Sequence, residues 1–396
     1  MKTRFSHNEG RNKGRNESSR LDLSGSRALA ELNAAALQNN YRAIHALLPK
    51  QAVLPMIKAN AYGHGGDWVA QQLQSLPALY GFGVASLEEG STIREALGPR
   101  GRKIRIIVFS GSIPWTEDKG QYCEDYGLTP VIASDADWNS FLKGGWPARL
   151  PYEIKFNTGM NRLGLSFSMA PAIAHALHGK PSEWHPAGVF SHLAQADDPD
   201  AKLSRLQLDR FQALRSEFNS ACPGTQFHLA NSAGIWNHKY WQLDGLTDVI
   251  RPGLSLYGIP PWKDAPARGI LPVLTLKAPV LTVHQLKAGE SLGYGATYTA
   301  NESVRAAILG IGYADGLHRT LSNRGHVWIG GRPDRVLGRV SMDLSAVQCS
   351  AQVRVGDWAE FLGPHVDPWA QAEAAQTIPY ELLTSISSRV QRVYEH

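Results

Sequence analysis

A chain of 396 residues with 43% hydrophobic and 19% charged residues can bury a sizeable core, has room for two domains, and is composed like a globular protein rather than a fibrous or disordered one. Its net charge of +5 is no argument for nucleic acid, because Lys2, Arg4, Arg11, Lys13, Arg15 and Arg20 against Glu9 and Glu17 leave a surplus of four within the first 20 residues. No stretch approaches the ~20 apolar residues of a membrane span, and the scattered Cys123, Cys222 and Cys349 form neither a metal-ligand spacing nor a disulfide framework, so a cytoplasmic protein without a metal is expected.

Residues 1–26 lack the apolar run of a secretory signal and read as a disordered basic tail rich in Arg, Asn, Ser and Gly. Segment 28–32 (ALAEL) can add a strand to either domain, and a helix is expected over roughly 34–48. From there, apolar runs alternate with helical spacing. Strands are predicted at 52–57, 81–85, 104–109, 129–132, 152–156, 187–191, 226–230 and 247–251. Between the last pairs lies 202–219, where Leu203, Leu206, Phe211, Leu214 and Phe218 share a broad helical face. Eight alternating units over residues 27–262 predict a (β/α)₈ TIM-type barrel. An open doubly wound sheet is the runner-up, although the first loop lacks a GxGxxG pattern. From 263 to 396 short runs broken by Gly and Pro predict a mostly antiparallel β domain.

The unusual polar residues fall at predicted strand ends. Lys58 follows the run Val53-Leu54-Pro55-Met56-Ile57 and precedes a loop of small and Gly residues. A lysine there is costly unless neutral, paired or covalently used. Its desolvated amine suits a Schiff base to an aldehyde cofactor, and a snorkelling lysine is the plain alternative. Lys155 lies near the end of strand five, with Arg162 in the loop after it; His192 follows strand six, Asn231 and Ser232 follow strand seven, and Arg251 ends strand eight. Singly, His192 also reads as a core histidine and Arg251 as half of a structural ion pair. Together they occupy the C-terminal barrel face, where active sites sit. Asn231-Ser232-Ala233-Gly234 and Arg251-Pro252-Gly253-Leu254, after strands seven and eight, suit a phosphate group. In the second domain Tyr294 and Tyr313 stand beside glycines, which is either turn chemistry or a pair of phenols available for proton transfer.

Eight strings, MIKANAYGHG, KFNTGMNRLG, SHLAQAD, ANSAG, RPGLSLYG, GYGATYTA, IGYADG and GRVSMD, occur in this order between about Ala28 and Tyr394. Together they resemble the alanine racemase family of fold-type III pyridoxal-phosphate enzymes. The resemblance implies pyridoxal 5′-phosphate on Lys58, D-alanine either made as a peptidoglycan precursor or consumed in alanine catabolism, and a homodimer with no nucleic-acid or membrane partner. It implies Lys58 as the base for the D-isomer, and Tyr294 of the partner subunit as the base for the L-isomer. It also implies Arg162 as the group that poises this tyrosine and meets the substrate carboxylate. Lys155 matches a lysine often carbamylated. Tyr62, Ser232, Gly253, Leu254 and Tyr313 would surround the phosphate, with Asn231 beside them. His192 would hydrogen-bond Arg251, and Arg251 would face the ring nitrogen. Met342, with Asp343 next to it, would meet the substrate carboxylate across the dimer.

Three departures stand out. Asn157 replaces an Asp, Gly293 replaces a Ser, and Ser388 occupies the place of a Tyr near the phosphate. The last implies a looser mouth and leaves a broader-specificity amino-acid racemase as the first alternative. A decarboxylase is disfavoured by Arg251, and a non-catalytic pyridoxal-phosphate-binding protein by the second domain and Tyr294.

Overall fold

The computed structural model describes residues 27–144 and 150–395; the predicted tail, 1–26, lies outside the described residues. Each of the eight predicted runs contains a strand: Ala52–Val53, Gly81–Val84, Arg105–Val108, Thr129–Ile132, Glu153–Asn157, Gly188–Phe190, Gln226–His228 and Val249–Ile250. Neighbours pair in parallel, as in Gly81 with Arg105, Ile107 with Thr129, Val131 with Glu153, Glu153 with Gly188, and Gly188 with Gln226. The ring then closes. Val249 pairs with Ala52, Met56 bridges Gly83, and the N–H groups of Asp248 and Arg251 donate to the carbonyls of Phe227 and Ala230 at 2.7 and 2.8 Å. A closed ring removes both sheet edges and decides for the barrel over the open sheet.

The covering helices start where short polar side chains can cap them. Ser86, Thr116 and Ser134 accept from the backbone N–H of Glu89, Lys119 and Asp137, and acidic residues in each first turn suit the helix dipole. Asn33 caps Ala34–Leu47 by accepting from the N–H of Ala36, without an acidic first turn. The long helix Lys202–Ala221 buries Ser204, Gln207, Phe211, Leu214 and Phe218. Leu206, expected on the apolar face, is 43% exposed: the buried stripe runs one residue to the side, through polar Ser204 and Gln207, and Gln207 reaches inward to the carbonyl of His192 at 2.8 Å.

The second domain is a closed antiparallel barrel. Leu274–Leu286 is its long strand, pairing with Trp358–Leu362 through Lys277 and Glu360, and, with an irregularity between Val280 and Thr282, with Val304–Leu309. Ser345–Gln348, Arg332–Leu337 and His326–Ile329 complete the circuit. The early strand Leu29–Asn33 belongs here: it pairs antiparallel with Leu274–Leu286 and in parallel with Gln391–Glu395. The chain therefore starts in the β domain, builds the parallel barrel and returns. The helix Pro379–Thr384 seats the β domain on the barrel mouth, where a Cβ at Gly63 would lie 2.3 Å from the Leu383 carbonyl oxygen. Arg392 Nε donates to the Gly63 carbonyl at 2.9 Å. No helix among the described residues is long and apolar enough to cross a membrane.

Candidate active site

Lys58 leaves the first barrel strand into an unusual turn. Ala59, Asn60, Ala61 and Tyr62 all have φ between 52° and 54°, a left-handed turn without a glycine. Only Asn tolerates this region readily, and each of the other three residues costs about 1–2 kcal/mol. The turn is held from several directions. Glu89 accepts from the N–H groups of Ala59 and Ala85, both at 2.7 Å. Asn60 Oδ1 accepts from Gly66 N–H at 2.8 Å. His64 Nδ1 lies 3.0 Å from the carbonyl oxygens of both Ala61 and Tyr62, so it must carry the ring proton.

The Lys58 side chain enters a cavity of about 770 Å³ whose lining includes Tyr62, Lys155, Arg162, His192, Asn231, Ser232, Arg251 and Gly253. These predicted residues come from separate strand ends, as the barrel requires. The amine of Lys58 reaches solvent through the cavity, yet the walls strip much of its hydration. Desolvation chiefly, then Arg162, lowers its pKa against the pull of Glu89. Lys155 is 7% exposed, and burial, then Arg162, Arg251 and Lys58, push it down to about 8. No carboxylate among the described residues pairs with Lys58, Lys155, Arg162 or Arg251.

Arg251 is buried beneath this group. Its Nη1 donates to His228 Nδ1 at 2.9 Å and its Nη2 to the carbonyls of Ser191 and Leu229 at 2.7 and 3.2 Å. The expected partner, His192, is the longer contact at 3.4 Å. Burial pushes Arg251 down to about 10, still a cation at neutral pH. Burial, then Arg251, holds His192 well below the usual histidine range, so it is neutral. His228 stands in the middle of the predicted run 226–230 rather than at its end, where the candidate residues were sought; its one signal was a polar side chain at an inward position of a barrel strand.

At the far end of the cavity Ser232 Oγ accepts from Gly253 N–H at 3.0 Å, which leaves its hydroxyl proton free to donate. Asn231 accepts from Gly234 N–H at 2.9 Å and starts the short helix Ser232–Trp236. Leu254 is fully buried. A Cβ at Gly253 would stand 2.6 Å from Tyr62 Oη. Burial raises the pKa of Tyr62, and of Tyr380, whose ring lies 5.9 Å away, so both phenols are protonated donors. Tyr380 also lines the cavity and was missed, since nothing local to its sequence marks it as near Lys58.

Asn157 organises the loop that presents Arg162. Its Oδ1 accepts from Gly159 and Asn161 N–H, and its Nδ2 donates to Asn161 Oδ1 at 2.9 Å, a bond an Asp could not give. Gly293 has φ 76°, which suits Gly better than Ser.

The remaining predicted residues lie elsewhere in this chain. Tyr294, 73% exposed, shares a surface groove of about 500 Å³ with Arg339, Ser341 and Leu344 on the β domain. Tyr313 and Met342 are also exposed, on loops joined by the bonds Tyr313 N–H to Ser341 O and Ala314 N–H to Met342 O, each 3.0 Å. Asp343 is engaged by Arg389 at 2.7 Å, with Arg27 at 4.0 Å, so its carboxylate braces its loop. Ser388 is exposed and lines no part of the Lys58 cavity.

Residues 32–261 match the family model "Alanine racemase, N-terminal domain" and 273–394 match "Alanine racemase, C-terminal domain". The chain is 35% identical over 374 residues to an alanine racemase of Coxiella burnetii, covering 92% of this chain and 98% of that one. It is 35% identical over 381 residues to one from Carboxydothermus hydrogenoformans, with the same coverage. The biosynthetic alanine racemase structure from Pseudomonas aeruginosa superposes with a TM-score of 0.82 at 31% identity, covering 93% of this chain and 99% of that one. That from Bartonella henselae, with covalently bound pyridoxal phosphate, superposes with a TM-score of 0.80 at 28% identity and the same coverage. Two family models in sequence, near-complete coverage and a shared two-domain fold establish that the chain belongs to the alanine racemase family.

Proposed function

We propose that the chain interconverts L-alanine and D-alanine by a two-base reaction in which Lys58 and the partner subunit's Tyr294 stand on opposite faces of the substrate. That it is a pyridoxal-phosphate-dependent alanine racemase follows from its family. The roles of its residues are our reading. One observation carries it: Lys58 stands over a cavity with cationic walls and no pairing carboxylate among the described residues, closed at its far end by hydrogen-bond donors.

The cavity fits the cofactor. An anionic phosphate supplies the charge that Lys155, Arg162 and Arg251 lack, and Gly253 leaves room for it beside Tyr62. Ser232, Tyr62, Gly253 and Leu254, near Asn231, would hold that phosphate, with Tyr313 as the further candidate. When bound, pyridoxal phosphate supplies an aldehyde for Lys58 and a ring that takes up the electron pair left by the departing α-proton.

The chain's own groups do the rest. The lowered pKa of Lys58 favours the neutral amine a base needs. Arg162 beside Tyr294 would favour phenolate by charge and would meet the substrate carboxylate. Met342 would add its backbone N–H, with Asp343 bracing the loop. Arg251 keeps its proton, so a ring nitrogen facing it stays unprotonated, which weakens electron withdrawal and disfavours side reactions such as transamination. His192 stands next to Arg251. The exposure of Tyr294, Tyr313 and Met342 on one face, away from their own chain's Lys58, supports a homodimer with shared sites. A cytoplasmic setting suits three unpaired cysteines.

The test is α-proton exchange in deuterated water. Tyr294→Phe is expected to slow exchange from L-alanine by at least about 100-fold, and to leave exchange from D-alanine largely intact. Exchange from L-alanine at the parent rate would overturn the two-base reading.

A further inference from the structure

Below the Lys58 cavity, inside the parallel barrel, three polar side chains form a buried chain. Arg251 Nη1 meets His228 Nδ1 at 2.9 Å, and His228 Nε2 meets Glu153 Oε2 at 2.9 Å. Tyr80 Oη donates to the other oxygen, Oε1, at 3.2 Å. Glu153 and His228 have no exposed surface and Arg251 is 3% exposed. Room is left for them: a Cβ at Gly188 would stand 2.8 Å from Glu153 Oε1 and 3.1 Å from His228 Nε2.

The proton positions follow from chemistry. A guanidinium N–H can only donate, so His228 Nδ1 must present a lone pair to Arg251. The ring's one proton is then on Nε2, donated to Glu153. Burial favours this neutral ring over the cation. With the proton on Nδ1 instead, two donors would face each other at 2.9 Å in a dry interior, and the guanidinium would have to turn away. Glu153 is the group that selects between these states.

We infer that Glu153 is a positioning residue for the cofactor: through the His228 tautomer it fixes the direction in which Arg251 presents its guanidinium to the cavity. The inference rests on the reading of Arg251 as the residue that faces the cofactor's ring nitrogen. It extends the functional array by one layer below that face. Stacking of the Phe190 ring on His228, with centroids 4.6 Å apart, keeps the imidazole in plane for both bonds.

The experiment uses the whole protein with ¹⁵N-labelled histidine, loaded with pyridoxal phosphate. In the parent, the His228 resonances are expected to show the proton on Nε2 and none on Nδ1; a proton on Nδ1, or a doubly protonated ring, overturns the inference without any variant. Glu153→Leu is expected to mix the two tautomers, to shift the visible absorption band of the bound cofactor, and to weaken pyridoxal phosphate binding about ten-fold. Glu153→Gln, whose amide oxygen still accepts from Nε2, is expected to restore the parent tautomer and most of the affinity. An unchanged band and affinity in Glu153→Leu, or a Gln variant no better than Leu, also overturns it. If the parent shows no cofactor band at all, the cofactor reading fails while the tautomer assignment stands on its own signal.

Discussion

Lys155 shows what one buried side chain can decide. A lysine surrounded by Arg162, Arg251 and Lys58, with no carboxylate partner among the described residues, is a source of strain as a cation. Held down to about 8, its amine is partly neutral near physiological pH. A neutral amine can add carbon dioxide: the N–C bond forms, the amine gives up a proton, and a carbamate anion then stands beside Arg162. Protein equilibrated with ¹³C-bicarbonate is expected to show a carbamate carbon resonance that is missing from Lys155→Arg, and an identical spectrum from both would remove the assignment. Gly253, at the other end of the cavity, was legible from its turn motif. The reason for it was not, because Tyr62 arrives from nearly 200 residues away.

The left-handed turn 59–62 is the element on which the site depends. At about 1–2 kcal/mol for each of Ala59, Ala61 and Tyr62 it carries a total of roughly 3–6 kcal/mol of unfavourable backbone energy. Glu89, Asn60 and His64 offset it with hydrogen bonds from three directions. His64 makes the turn sensitive to acid. Its Nδ1 proton bonds to Ala61 and Tyr62, and its Nε2 is buried with no partner, so a second proton would have nowhere to bond. Desolvation chiefly pushes its pKa down to about 4 from 6.5. Between these values the unfolded chain binds the proton and the folded one does not, so stability falls as pH drops through that window. The loss has a ceiling of about 3 kcal/mol. Urea denaturation from pH 7 to 4.5 should show a steeper loss in the parent than in His64→Asn, and equal slopes would remove His64 from the account. The sequence marked this segment as a loop of small and Gly residues, and its handedness was not legible. Intrinsic preference would forbid three of the four residues, and only partners from distant elements reverse that preference.

On the scale of the whole molecule, each domain carries part of the proposed chemistry. The parallel barrel gathers Lys58, Lys155, Arg162, Arg251 and the loops at Ser232 and Gly253, while the β domain displays Tyr294, Tyr313 and Met342 on an exposed face. Mixing separately inactive Lys58→Ala and Tyr294→Phe subunits should restore partial racemase activity if sites are shared across a dimer, and no recovery after subunit exchange would refute the sharing. Much of this was readable in one dimension. Eight apolar runs with helical spacers determine eight alternating β/α units, because period and alternation are local properties of the chain. Motif order pointed to the family and marked Lys58, Arg162 and Arg251 as candidate site residues, which the structure brings to one cavity. Only the tertiary structure decided that Leu29–Asn33 joins the second domain, that the ring closes between the first and last strands, and that His228 rather than His192 is the nearer partner of Arg251. It alone revealed Glu153 and Tyr380 near the site. The physical reason is common to all of these: pairing, ring closure and buried hydrogen bonds join residues far apart in sequence, and nothing in the local pattern records which distant partner each will meet.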